Sequence, residues 1–189
     1  MTGRQETYIA FAIVLASSLA YWLAVSSTPS GAPEDLVLEA ITNQNLPTVR
    51  AHAELAAARA LVEEARRYQR AAEQGSVDAQ MTLGGLYAAG EGVAKDDAEA
   101  ARWYRRAAEQ GSVAAQARLA DMFSEGRGVP RDQVQAHTWF NLAAARASGE
   151  DRTRYEAARD AITERLTSDQ LAEAQRRARE WENAHPREP

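Results

Sequence analysis

Histidines, paired carboxylates and cysteines are the side chains that most often carry chemistry, and in this 189-residue chain they are few and scattered. The three histidines, His52, His137 and His185, fall in three separate segments. An imidazole works as a general base only within hydrogen-bond reach of the proton it takes, and as a metal ligand only beside further ligands. His137 stands beside Trp139 in a helical stretch, where a packed histidine is the plainer reading. Asp96 and Asp97 are adjacent acids, but one reads as a helix N-cap and the other as solvent-facing. Cysteine is absent, which excludes disulfides and thiolate metal sites. No HExxH, CxxC, GxSxG or P-loop pattern occurs, and the segment GEGVAKD lacks the phosphate-binding arrangement of a GxGxxG after a strand. With no nucleophile and adjacent base to nominate, the sequence argues against an enzyme and implies no cofactor, metal or small-molecule substrate.

The elements that carry these residues are repeated. Residues 67–80 read RYQRAAEQGSVDAQ and residues 103–116 read WYRRAAEQGSVAAQ, an offset of 36 positions. Laying 66–101 on 102–137 leaves 18 of 36 positions identical, and the register continues from Trp103 and Tyr104 to Trp139 and Phe140. A fixed period in this range is the signature of a solenoid, in which each unit buries its apolar face against the next.

Each copy spells a helical hairpin. Ser76 is a good N-cap after Gly75, and Ala79, Leu83, Leu86, Tyr87 and Gly90 follow at helical spacing, predicting a helix from about Val77 to Ala89. GEGVAKD then turns the chain, with Val93 pinning the turn to the core. Asp96 and Glu99 form a capping-box-like start to a second helix. Its inner stripe is Ala100, Tyr104, Ala107 and Ala108, and Trp103 is expected to cover the junction to the next unit. The second copy reuses Ser112, GRGVPRD, and Asp132 with Gln135.

These residues carry a resemblance. The string Ala79, Leu83, Gly84, Tyr87, Gly90, Gly92, Val93, Asp96, Ala100, Trp103, Tyr104, Ala107, Ala108 resembles a Sel1-like repeat, a helical-hairpin relative of the tetratricopeptide repeats. Ala120 departs from the expected glycine and Phe123 from the expected tyrosine. The resemblance covers roughly residues 66–147 and implies an all-α, short right-handed helical-hairpin solenoid that binds other proteins. Some cysteine-rich relatives of such repeats are linked to β-lactam binding or hydrolysis, but this chain lacks their disulfide framework.

Outside the repeats, Thr48 to Gln74 contains no glycine or proline and reads as one long helix, its part before residue 66 capping the solenoid. Glu150 to Leu166, with Tyr155, Ala158 and Ile162, and a last helix with Leu171, Ala174, Ala178 and Trp181 behind a Thr167–Gln170 capping box, read as the closing hairpin of region 148–189. The N-terminal region 1–26 differs in kind. Residues Tyr8 to Val25 form an 18-residue uncharged run, about 27 Å as a helix, which predicts a transmembrane or signal helix. Arg4 precedes it, while Glu34, Asp35 and Glu39 follow and no further cation occurs until Arg50. The charge asymmetry predicts a cytoplasmic N-terminus and a periplasmic repeat domain in a bacterial inner membrane. Ala24-Val25-Ser26 offers a cleavage site that would instead release the chain to the periplasm. Ala12, Ala16, Ala20 and Ala24 recur every fourth residue, a face suited to packing on another membrane helix. Residues 27–47 read as a linker with a brief helix over Glu34 to Asn43.

The net charge of −5 reads as evenly spread, with no basic stripe to suggest nucleic-acid binding. Together these features predict a membrane-tethered adaptor for protein partners, or alternatively a structural accessory subunit of an inner-membrane complex. A cell-wall or β-lactam-directed enzyme or binder is the remaining alternative. The partner groove is expected on first-helix positions outside the core stripe: Thr82, Gly85 and Leu86 in one copy, Arg118, Asp121 and Met122 in the other.

Overall fold

A computed structural model of the chain describes residues 46–186. The apolar run 8–25 with Ala12, Ala16, Ala20 and Ala24, and the brief helix expected at 34–43, lie outside those residues. The described residues form seven helices: α1 (Leu46–Glu73), α2 (Val77–Ala89), α3 (Asp97–Glu109), α4 (Val113–Glu125), α5 (Gln133–Arg146), α6 (Gly149–Thr163) and α7 (Ser168–Ala184). None of them is long and apolar enough to cross a membrane. The chain divides into two compact units, residues 1–61 and 62–189. Of the first, the described part is the helical stretch 46–61; the second holds all the packing set out below.

Helix α1 begins before Thr48 and passes through Pro47, because a proline in the first turn lacks only an amide that has no intrahelical acceptor anyway. The next four helices are two hairpins built by the same local devices. Ser76 and Ser112 cap α2 and α4 by accepting from the backbone amides of Ala79 and Ala115. Gly90 and Gly126 end those helices in the left-handed region, φ 79° and 75°, a conformation that favours glycine. The turns are then tied back to the helices they leave: the Asp96 amide donates to the Tyr87 carbonyl, and the Asp132 amide to that of Phe123, both at 2.9 Å. Asp96 and Asp132 cap α3 and α5 in turn. The reciprocal arm expected of Glu99 is not made, because its carboxylate pairs with Arg102.

Helix α2 packs on α3, α3 on α4, α4 on α5, and α5 on both α6 and α7. Alanine dominates the interfaces, with Ala100, Ala107, Ala108, Ala115, Ala120, Ala136 and Ala143 essentially inaccessible, which brings helix backbones close together. Leu83, Leu119 and Leu142 fill what the alanines leave. Burying such a leucine is worth about 1.5–3 kcal/mol. A further device spans helices. The buried Gln80 amide donates to the Ala72 carbonyl at 3.1 Å and Gln116 repeats the bond to Ala108 at 3.2 Å, so the opening turns of α2 and α4 are each clipped to the end of the helix before them.

Two expectations need correction. Trp103 faces backward: it shares a small cluster with Ala72, Ala79 and Leu83, with Tyr68 and Ala71 packed against it, so it closes the junction with α1. The penultimate helix ends at Thr163, short of Leu166. There the amides of Arg165 and Leu166 turn back to the carbonyls of Ile162 and Thr163, and Leu166 still packs on the core. At α7 the Thr167–Gln170 capping box is complete in both directions.

Candidate functional site

Four of the six expected groove residues keep some exposure and two are committed to packing. Met122 is 2% exposed and part of the main core cluster, so it lines no groove. It occupies the repeat position of Leu86, which is half-buried against the smaller cluster. Thr82 is half-exposed, but its hydroxyl donates to the Asp78 carbonyl of its own helix at 2.8 Å.

The other three, Gly85, Arg118 and Asp121, lie around Tyr104, a core residue as its spacing predicts. Gly84 and Gly85 leave room above α2, and the Tyr104 ring fills it: a Cβ added at Gly84 would lie 2.6 Å from the ring's Cε1. The phenol oxygen then stands 3.7 Å from where a Cβ of Gly85 would be. Burial pushes the Tyr104 hydroxyl above its ordinary value, opposed by the positive charges of Arg118 and Arg127. Burial likewise pushes the Asp121 carboxyl up, and Glu125 adds to the shift, while Arg118, Arg127 and Arg154 oppose it. Arg118 itself is exposed. Arg154, from α6, rests over the Tyr155 ring at 4.9 Å and pairs with Asp151 at 2.9 Å. Gly85, Tyr104, Arg118 and Asp121 thus form one polar patch across α2, α3 and α4, with Arg154 at its edge. Tyr104, Arg127 and Arg154 were missed. The signal for Tyr104 was the pair Gly84 and Tyr104 in one copy against Ala120 and Phe140 in the other: the residue that gains a hydroxyl is the one whose neighbour loses its Cβ.

The patch offers hydrogen bonding and charge. His137 and His185 do not converge on it. His137 is buried, its Nδ1 without a partner among the described residues, and burial together with Arg159 lowers its pKa while Asp160 opposes the shift. The His185 ring stacks on Trp181 with centroids 4.2 Å apart. Among the described residues no group of three or more histidines and carboxylates could hold a metal ion.

Against this geometry the comparisons with known proteins can be placed. The Sel1 repeat model matches residues 68–76, 77–112 and 113–148. These segments are similar to the Sel1 repeat. The two full matches coincide with α2 plus α3 and α4 plus α5, and the short first match is the end of α1. Among solved structures, a protective antigen present in uropathogenic Escherichia coli strains and displaying an SLR fold is 34% identical, with a TM-score of 0.59. The match covers 65% of this chain and 26% of that one. A Sel1 repeat protein from Oxalobacter formigenes is 29% identical over 64% of this chain and 100% of its own, with a TM-score of 0.45. A search of curated proteins finds no match. The Sel1 repeat fold is typical of protein–protein interaction modules.

Proposed function

We propose that the chain is a membrane-tethered adaptor, whose Sel1 repeats present the patch of Gly85, Tyr104, Arg118 and Asp121 to a protein partner outside the cytoplasmic membrane. The observation that carries the reading is the contrast between the two repeats. Positions that recur, such as Ser76 and Ser112, Gly90 and Gly126 or Gln80 and Gln116, are caps, turns and clips. Positions that differ, Gly85 against Asp121 and Thr82 against Arg118, include the members of the patch, so a specificity can be written there without cost to the scaffold. The tether rests on the uncharged run 8–25 and the acidic residues that follow it.

The test is in-cell photocrosslinking from position 118, with position 165, exposed between α6 and α7, as the control. A discrete adduct from 118 alone, abolished by Asp121→Ala while the thermal midpoint is unchanged, is the expected result. Equal labelling from both positions removes the patch assignment. Recovery of the chain in the soluble fraction after cell breakage, shortened by about 25 residues, replaces the tether with a cleaved leader.

A further inference from the structure

We propose a second binding site, a hollow lined by arginines between α3 and the α4–α5 turn, that takes the carboxylates of an acidic segment of a partner protein. It uses none of Thr82, Gly85, Arg118 or Asp121, so the two readings stand or fall separately.

The net charge is not spread evenly after all. Arg102, Arg105 and Arg106 ring a hollow of about 450 Å³, with Glu109 at one end and Ala101 and Val129 among its apolar lining. Two of the guanidinium groups are held in place by aromatic rings and not by acids: Arg106 lies over Trp103, 4.6 Å from its centroid, and Arg105 over Phe123 at 5.5 Å. A guanidinium stacked by its face keeps its N–H donors at the rim, where a carboxylate can meet two of them at once. Holding the side chains by stacking also removes part of the rotamer entropy that a flexible arginine loses on binding. Arg102 is engaged with Glu99, but its side chain is 74% exposed and the pair is a surface one of small worth.

The wall opposite is fixed by close approach. Gly128 has φ 65°, and a Cβ there would fall 2.0 Å from the Asp97 carbonyl oxygen, so the turn lies directly on the start of α3. One wall of the hollow is therefore set by backbone contact.

The internal repeat separates what the scaffold needs from what it does not. One period earlier, the equivalents of Arg102, Arg105 and Arg106 are Arg66, Gln69 and Arg70; one period later they are Thr138, Asn141 and Leu142. Gln69 spends its amide on Glu73 and Arg66 is paired with Glu63. Arginine at 105, with its neighbours stacked or exposed, occurs only in the middle helix. The occupant is an acidic peptide because the site offers bidentate donors beside an apolar floor, suited to glutamates next to an aliphatic residue. A chain of net charge −5 repels a polyacid overall, so attachment requires a local cluster of arginines. Glu109 at the end of the hollow disfavours the evenly spaced charges of a nucleic-acid backbone.

Fluorescence anisotropy of the full chain in mild detergent, with a labelled peptide of repeating Glu-Glu-Leu, tests the assignment. Saturable binding that weakens with added salt is expected, reduced about tenfold by Arg102→Glu or Arg105→Glu and about threefold by Arg105→Lys, which keeps the charge and loses the fork. Arg165→Glu should leave affinity within about twofold, as an exposed arginine remote in sequence from the hollow. If Arg105→Glu does not fold, Arg102→Glu decides alone. The proposal is overturned if Arg102→Glu binds like the parent, if Arg165→Glu loses as much, or if the Gln-Gln-Leu peptide binds equally. Equal competition by inorganic phosphate or a short oligothymidine also overturns it.

Discussion

At the scale of single residues, the two repeats act as each other's controls. Gly84 and Tyr104 in one copy stand where Ala120 and Phe140 stand in the other, and all four are buried. Since a Cβ at Gly84 would sit 2.6 Å from the Tyr104 ring, Gly84→Ala should cost about 2 kcal/mol. Adding Tyr104→Phe should return part of that loss, because a ring without a hydroxyl to place beside Gly85 is freer to shift away from the added Cβ. Chemical denaturation of the single and double variants measures the coupling, and simple additivity would disprove it. His137 supplies a pH dependence of predictable sign. Its folded-state pKa is depressed by burial and by Arg159, against the opposing Asp160, so the contribution to stability is present above the unfolded value and is lost as pH falls through the folded one. The thermal midpoint should therefore drop as pH is lowered from about 6.5, and His137→Gln should flatten that slope.

At the scale of elements, helix boundaries were readable because caps and turns are local. Ser76, Asp96, Ser112, Asp132 and Thr167 each announce a helix start within a few residues, and each accepts backbone amides as its type requires. What lay across helices was not readable. Met122 was placed in the groove because its helical position matches that of Leu86, yet it is buried in the main core cluster while Leu86 is half-buried against the smaller one, a difference the repeat register does not encode. Tyr104 lies in the core as its spacing predicts, but its reach to Gly85 follows from how closely α3 approaches α2. The junction of Gly128 with α3 is another contact of this kind, and it separates two costs that glycine avoids. Gly75 and Gly128 both have positive φ, but a Cβ at Gly75 meets nothing within 4 Å, whereas at Gly128 it meets the Asp97 backbone. Gly75→Ala should cost only the conformational penalty, about 1 kcal/mol. Gly128→Ala should cost about 3 kcal/mol, because the turn must also lift from α3. Equal midpoints in urea for the two variants would show that the turn is free to move.

At the scale of the whole molecule, a repeat array is held by nearest neighbours, and its last members are held by whatever closes it. Here the closure departs from the repeat. Where Gln110 donates to Gln80 at 2.7 Å, the residue one period on is Arg146, which instead donates to the His185 carbonyl at 2.6 Å and lies over the Trp181 ring at 4.6 Å. Trp181 also meets the edge of Trp139, with centroids 6.4 Å apart, so one tryptophan joins α7 to α5 from both ends of the contact. The departure leaves Gln116 Oε1 and Arg146 Nε buried without hydrogen-bond partners among the described residues, while the Gln116 clip to Ala108 is kept. Trp181→Ala should lose about 2–3 kcal/mol, below the range for a fully buried tryptophan because its ring keeps partial exposure. The loss should also be local. Helix α7 packs on α5, while α2 and α3 are held by each other and by α1 and α4, so hydrogen exchange should quicken through α7 and leave the amides of α2 and α3 protected. Quickening spread evenly from α2 to α7 would mean that the closing stack supports the whole array, and the hairpins would then have to be treated as one cooperative body.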